Sequence, residues 1–492
     1  MTPQTNPFTL GVASGDPLPD SVVLWTRLAP RPYEPGNGLP GDGAIDVQWE
    51  LASDESFRHL VQNGTVPAPA ADNHTVHLDV RGLEADRFYW YRFRVDGRWI
   101  SPTGRTRTAP APTADVDRGR FGLLSCQQYD EGYYTALAHL AGEELDAVFF
   151  VGDYIYENAI NAQAGARHYT APLPEFFNHV TLNLTDYRLR YALYKSDPDL
   201  QAAHAAHPWY VTWDDHEVGN NYAGDISQDN DPVDVFRARR AAAYRAYWEN
   251  MPLREAHRPT GPDMRLYRRF QYGRLAQFDI LDTRQYRSDQ AYGDGWQYPG
   301  PESEDPARTL TGAEQERWLL DGFRSSTALW NVVPQQVAFC RHKNTTADRS
   351  QLSMDAWDGY PASRDRVLAG VAEAGVANFV VLTGDEHVHY AMDIKEDFDD
   401  PDSRTLGVEV VGTSVSSGFD GEEHPDDWTL TLAANPHMKF YDARRGYALV
   451  TLERTHVHAE FRTLTGVVTH GAPVSTAACF VSEAGDPGFS AA

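Results

Sequence analysis

Three short runs of metal-binding side chains each stand directly after an apolar run that reads as a buried strand. Ser125-Cys126 follows FGLL, Gly152-Asp153-Tyr154-Ile155-Tyr156 follows AVFFV, and Gly384-Asp385-Glu386-His387-Val388-His389 follows NFVVLT. In α/β sheets the chemistry collects at strand ends. This placement points to an α/β fold with a site gathered at one sheet edge.

The donor types narrow the ion. Asp153 offers a carboxylate, Tyr156 a phenol three residues later, and Cys126 a thiol at the neighbouring strand end. Phenolate and thiolate must each lose a proton to bind, which a trivalent ion drives far better than Zn2+ or Mg2+, so iron (Fe3+) is the expected metal. Taken singly, Cys126 reads equally well as a small buried hydrophobe and Tyr156 as a core aromatic. Asp153 is the natural bridge, because a carboxylate can bind two ions about 3.5 Å apart. Asp385 and His387 are two residues apart, so they lean to the same side of a strand end. His387 suits the iron and Asp385, offering only oxygen, suits calcium (Ca2+). His389 reads as a further ligand or as the partner of one.

A fourth polar run, Trp213-Asp214-Asp215-His216-Glu217-Val218-Gly219-Asn220-Asn221, follows the apolar PWYVT. Asp215 is expected on the second ion, and His216 facing the substrate as proton donor or charge stabiliser. The alternative is a solvated acidic loop that contains a histidine. Arg284, in Leu281-Asp282-Thr283-Arg284, closes another apolar strand and could hold a phosphoryl group through two parallel hydrogen bonds. Its other reading is an ion pair with Asp282. Asp214, His216 and Arg284 form the expected catalytic group. Asn220 is expected to touch substrate, as are Asn435 and His437 of the dense polar run Asn435-Pro436-His437-Met438-Lys439-Phe440. Arg444-Arg445-Gly446-Tyr447 is expected to line the same mouth.

At 492 residues the chain exceeds one ordinary core, so two domains are expected. Residues 7 to about 108 alternate as β, and Leu83 followed by Tyr89 has the spacing of a tyrosine corner, so 1–108 resembles a fibronectin type III sandwich. The Pro/Ala stretch 109–119 is the expected linker and 120–492 the α/β part. In that part helices are expected over 131–145, 184–196 and 233–250, with a hairpin through Tyr272-Gly273. A capping box, Thr311-Gly312-Ala313-Glu314, announces a further helix. The balance of 70 acidic against 43 basic residues, net −27, argues against a stable nucleic-acid complex. No apolar run approaches the roughly 18 residues of a transmembrane segment. With Cys126 given to a metal, Cys340 and Cys479 are left as a disulfide or as two buried free thiols. The first residues show no export signal, so one is absent or removed; the acidic balance still suits a secreted or periplasmic protein, expected as a monomer.

Together these segments resemble the PhoD-like family of the metallophosphatase superfamily, which includes an iron-dependent phospholipase D-type branch. The resemblance runs from GVASGDPLPDSVVLWTR through SCQ, GDYIYE, WDDHEVGNN, LDTRQYR and VLTGDEH to NPHMKFYDARRGY. It implies an N-terminal sandwich and a catalytic domain with two central β-sheets flanked by helices. It also implies a phosphoesterase with Fe3+ on Cys126, Asp153, Tyr156 and His387, and Ca2+ on Asp153, Asp215 and Asp385. A metal-activated hydroxide would then attack phosphodiesters, and phosphomonoesters too, with His216 and Arg284 acting on the phosphate. No histidine near QQVAF matches the superfamily's fourth motif. Phospholipid headgroup esters are the alternative substrates. A non-catalytic surface or carbohydrate-binding protein, suggested by 12 Trp and 25 Tyr, is the alternative of another class.

Overall fold

The apolar runs become strands of two large mixed sheets in a computed structural model that describes residues 3–39, 41–161, 165–167, 173–347 and 349–492. In the ten-stranded sheet, Arg118–Leu124, Ala147–Val151, Pro208–Thr212 and Val12–Leu18 run parallel at the centre. In the seven-stranded sheet, Ala276–Ile280, Trp330–Pro334, Phe379–Thr383 and Thr405–Val411 do the same. Side chains alternate across a strand. Phe149 and Val151 therefore face Phe278, Ile280 and Leu382 of the other sheet, while Val148 and Phe150 turn to helices through Leu137, Tyr191 and Tyr247. Those helices are Thr135–Ala141, Leu184–Lys195 and Val233–Asn250. The outer face of the second sheet packs Val333 and Val381 against Leu319 and Val367 of helices Gly312–Ser325 and Pro361–Glu373. The order of layers is helix, sheet, sheet, helix. Each fully buried Phe or Val contributes about 1.5–3 kcal/mol.

The N-terminal segment is β-rich, as its alternation suggests, but it shares a sheet with the α/β part. Val12–Leu18 pairs in parallel with Pro208–Thr212, placing Ser14 opposite Pro208, and Ser21–Arg27 and Thr75–Arg81 extend the same sheet. A five-stranded sheet built on Ala44–Ala52 and Phe88–Val95 closes over them around Val22, Leu24, Val47 and Tyr91. The Tyr89 hydroxyl accepts from the Glu84 N–H at 3.0 Å, which completes the tyrosine corner. The Pro/Ala stretch is tied on both sides: Ala109 N–H donates to Leu18 O at 3.2 Å and Ala114 O accepts from Arg274 N–H at 2.9 Å.

Several local expectations change. The helix expected over 131–145 is confined to Thr135–Ala141. The capping box does not form, because Thr311 has helical backbone (φ −106°, ψ −7°) where an N-cap is extended. Thr309 Oγ1 accepts the Gly312 N–H instead, at 2.9 Å, and Glu314 accepts from the Tyr267 hydroxyl at 3.1 Å. All three cysteines are free. Cys340 is buried beside the Asp393 carbonyl, whereas Cys479 lies on Val474–Glu483 of the other sheet, so no disulfide joins them. No described helix is long and apolar enough to cross a membrane.

Candidate metal centre

The central strands of the two sheets end close together, and their following residues carry the donors. Thr212 Oγ1 donates to Leu281 O at 3.0 Å and accepts from Gln336 Nε2 at 3.0 Å, stitching one sheet to the other. Gln336 Nε2 also donates to Leu281 O at 2.9 Å, so the QQVAF run is tied to both strand ends. Two glycines permit the close approach: a Cβ on Gly152 would lie 2.4 Å from Asp214 Cβ, and one on Gly384 2.6 Å from Ser125 Cβ.

The backbone marks the same place. Cys126 (φ 58°), Asp153 (φ 58°), Asp385 (φ 60°) and His387 (φ 55°) are all left-handed. That conformation costs about 1–2 kcal/mol per non-glycine residue, and such strain collects where the surrounding structure enforces a functional geometry.

Three sets of donor atoms each lie within 4.8 Å of one another: Cys126, Asp153 and His387; Asp153, Asp215 and His216; and Asp214, Asp215 and Asp385. Asp153 links the first two and Asp215 the last two, so the sets run together as one buried centre. The Tyr156 hydroxyl donates to Asp153 Oδ2 at 2.8 Å, lies 3.2 Å from His387 Nε2, and accepts from Ser417 Oγ at 2.8 Å. All six residues expected to bind metal are therefore brought together.

The set fits a cation. Asp153 Oδ1, Asp214 Oδ2 and Asp215 Oδ1 are buried without a hydrogen-bond partner among the described residues. Burial first, then neighbouring carboxylates, pushes Cys126, Asp153 and Asp385 well above their ordinary pKa values. Burial, then Asp153 and Cys126, does the same to Tyr156. Donors crowded in this way favour their neutral forms until positive charge stands among them.

His216 and Arg284 flank these donors. His216 Nδ1 lies 2.7 Å from Glu157 Oε2, and its ring packs on Tyr156 with centroids 4.1 Å apart. Burial opposes its charge, but Asp215, Glu157 and Asp153 outweigh burial and raise its pKa well above the ordinary value. With Nδ1 engaged, Nε2 is the nitrogen left for the centre. Arg284 is fully buried; Nε donates to Asp214 Oδ1 at 2.5 Å and Nη1 to Asp355 Oδ1 at 2.8 Å, while Nη2 lies 3.6 Å from Asp215 Oδ1. Nη2 makes no hydrogen bond among the described residues. Asp282 takes the Arg284 backbone N–H at 3.0 Å, so the expected side-chain pair with Asp282 is replaced by this network.

The other expected residues fall partly beside the centre and partly away from it. Asn220 is beside the centre, its N–H on Glu157 Oε1 at 2.7 Å and its side chain on Gln228. Asn435 and His437 are not brought to the centre: they line a separate recess and hold the backbone of Lys343 and Arg341. His389 has both ring nitrogens engaged, by Thr413 N–H at 3.1 Å and Arg462 O at 3.3 Å, which leaves none for a metal. Arg444 pairs with Asp442, and buried Arg445 donates to His387 O at 2.7 Å and Ser414 Oγ at 2.7 Å, scaffolding the centre from behind. The motif reading missed Glu217, Glu157 and Asp355. Glu217 accepts the N–H groups of Asp153 (3.1 Å), Tyr154 (2.5 Å) and Asp214 (2.8 Å), pinning two donor loops together. In sequence it is one more acid in a polar loop.

Residues 121–461 match the PhoD-like phosphatase family and residues 1–110 the PhoD-like phosphatase, N-terminal domain. Alkaline phosphatase D of Bacillus subtilis (strain 168) is 49% identical over 486 residues, 98% of this chain and 82% of that protein. A solved structure of PhoD superposes with a TM-score of 0.96 at 48% identity, covering 100% of this chain and 93% of that one.

Proposed function

Because this chain belongs to the PhoD-like phosphatase family and is a phosphoesterase, we propose that it hydrolyses phosphodiesters, and phosphomonoesters as well, at a centre for Fe3+ beside Ca2+. The observation that carries this reading is the split in donor chemistry across one buried cluster. Thiol, phenol and imidazole from Cys126, Tyr156 and His387 crowd one end, and the carboxylates Asp214, Asp215 and Asp385 crowd the other. Cys126, Asp153, Tyr156 and His387 would hold the iron, and Asp153, Asp215 and Asp385 the calcium. When bound, the ions supply charge against the phosphoryl oxygens and sharpen the acidity of water.

The chain's own groups do the rest. Glu157 orients His216 through Nδ1, leaving Nε2 to give a proton to the departing oxygen. Asp214 and Asp355 fix the Arg284 fork, whose unbonded Nη2 is the arm available to a phosphoryl oxygen. Asn220, on the Glu157 side, is the remaining candidate for substrate contact, and Asn435 and His437 have no part here. The acidic balance and a calcium requirement favour an exported enzyme.

Metal analysis with an absorption spectrum, and a panel of bis-nitrophenyl phosphate, nitrophenyl phosphate and phosphatidylcholine, test the reading. Iron, calcium and a visible charge-transfer band are expected, with the diester turned over fastest. Cys126→Ala should lose iron, colour and nearly all turnover. A metal-replete, fully active Cys126→Ala enzyme would sink the iron assignment, and preference for the lipid would move the substrate to headgroup esters.

A further inference from the structure

The chain has 4 lysines against 39 arginines, and three of the four line one recess. Lys343, Lys395 and Lys439 stand around a cavity of ≈ 420 Å³ with Phe398, Asn435 and His437 in its wall. Lys195, the fourth, is buried over the Trp25 ring. No metal-centre donor lines this cavity. An arginine fork matches a carboxylate in plane, whereas an ammonium is a compact charge whose three donors turn to meet an anion.

The charge balance favours an anion. Lys343 Nζ lies 3.1 Å from Asp399 Oδ1 and Lys439 Nζ 3.1 Å from Asp393 Oδ2, but among the described residues Lys395 Nζ meets only Thr405 Oγ1, at 3.3 Å. Asp399 is shared with Arg341 at 2.7 Å. The lining thus carries three ammonium groups against the two carboxylates Asp393 and Asp399, an excess of one positive charge on a chain of net charge −27. Its wall is fixed: Asn435 Oδ1 accepts from Lys343 N–H at 2.8 Å and Nδ2 donates to Lys343 O at 3.0 Å, while the His437 ring lies edge-on to Phe398 at 5.1 Å. The dense NPHMKF run, which the metal centre does not use, is accounted for here.

We propose that this recess binds a small organic phosphate, the phosphate on the ammonium groups and the compact body against Phe398. The proposal rests on the phosphodiesterase reading only for the ligand's source, since hydrolysis of a diester leaves a phosphomonoester. Lys343 also follows His342, whose Nδ1 lies 4.0 Å from Glu386 Oε2, the neighbour of Asp385 in sequence.

Amine-directed acylation of the metal-loaded enzyme, read lysine by lysine by peptide mass spectrometry, tests this with phenyl phosphate as probe. Acylation of Lys343, Lys395 and Lys439 should slow by 1 + [L]/Kd, about tenfold at nine times Kd. Lys395→Gln should lose this protection at Lys343 and Lys439 while keeping wild-type turnover of bis-nitrophenyl phosphate. Unchanged rates, equal slowing by chloride at matched ionic strength, or full protection in Lys395→Gln would overturn the site. Equal protection by inorganic phosphate would overturn the organic body. Absent diester turnover with protection intact would instead fail the proposed reaction alone.

Discussion

Arg284 shows how much one buried side chain can carry. It neutralises Asp214 and Asp355, and its Nη2 lies 3.6 Å from Asp215 Oδ1 without a hydrogen bond among the described residues. Removing one partner from a buried charge network costs about 3–5 kcal/mol, so Arg284→Met should melt far earlier than the wild type. Arg284→Lys keeps the charge without the fork, and should show weaker inhibition by inorganic phosphate together with lower catalytic efficiency. A lysine variant that melts early yet binds phosphate normally would leave Arg284 as scaffold only. His216 asks a different question, because it lies in one donor set with Asp153 and Asp215 as well as on Glu157. As a general acid, its loss in His216→Ala should cost about 10²–10⁴ on esters with poor leaving groups and little on nitrophenyl esters. Equal losses on both would make it a metal ligand.

At the level of elements, the centre is a junction of strand ends held by backbone hydrogen bonds. Glu217 takes three N–H groups from two such ends. Glu217→Gln removes charge from these bonds and puts an amide donor against N–H groups, a change worth about 1–3 kcal/mol. The expected result is weaker metal retention in chelator competition, and unchanged retention would reduce Glu217 to local packing. The junction should also make metal uptake depend on pH. Cys126, Asp153 and Tyr156 all have pKa values raised above their ordinary ones, so in the metal-free protein they hold protons that binding must expel. Affinity should therefore rise with pH, with proton release visible by calorimetry in buffers of different ionisation heat. An affinity flat with pH would contradict this.

For the whole molecule, the shared ten-stranded sheet makes the N-terminal segment part of the enzyme's frame. Val12–Leu18 covers the edge of Pro208–Thr212, the strand that leads into Asp214 and Asp215. Buried Asp16 accepts from Arg268 Nη2 at 2.8 Å, and Trp25 Nε1 donates to Glu249 O at 2.9 Å. A chain lacking residues 1–108 would leave that strand edge bare and Arg268 unpaired. It is expected to be insoluble, whereas the full chain should unfold in a single transition by fluorescence and circular dichroism alike. A soluble, active truncated chain would show that the two parts are separable.

What the sequence determined by itself was local: apolar runs that become strands, donor motifs at their ends, and the Leu83 to Tyr89 spacing that closes a tyrosine corner. These depend on residues within a few positions of one another, where period and side-chain chemistry speak directly. The α/β layers and the gathering of the six expected donor residues were legible for that reason. Only the tertiary structure decided what Asn435 and His437 do, because the strand after them, Met438–Asp442, runs antiparallel to His389–Lys395 at the edge of the seven-stranded sheet, with Asp442 opposite His389 and Met438 opposite Met392, which leaves Asn435 and His437 at the end far from the donors. It likewise decided the fate of acids that look alike in sequence. Asp282 accepts from Trp213 Nε1 at 3.0 Å, Asp355 holds Arg284 and Glu217 takes the Asp153 N–H, and each of these partners comes from a distant part of the chain. Burial and charge pairing arise between segments that sheet order brings together, and no local pattern encodes that order.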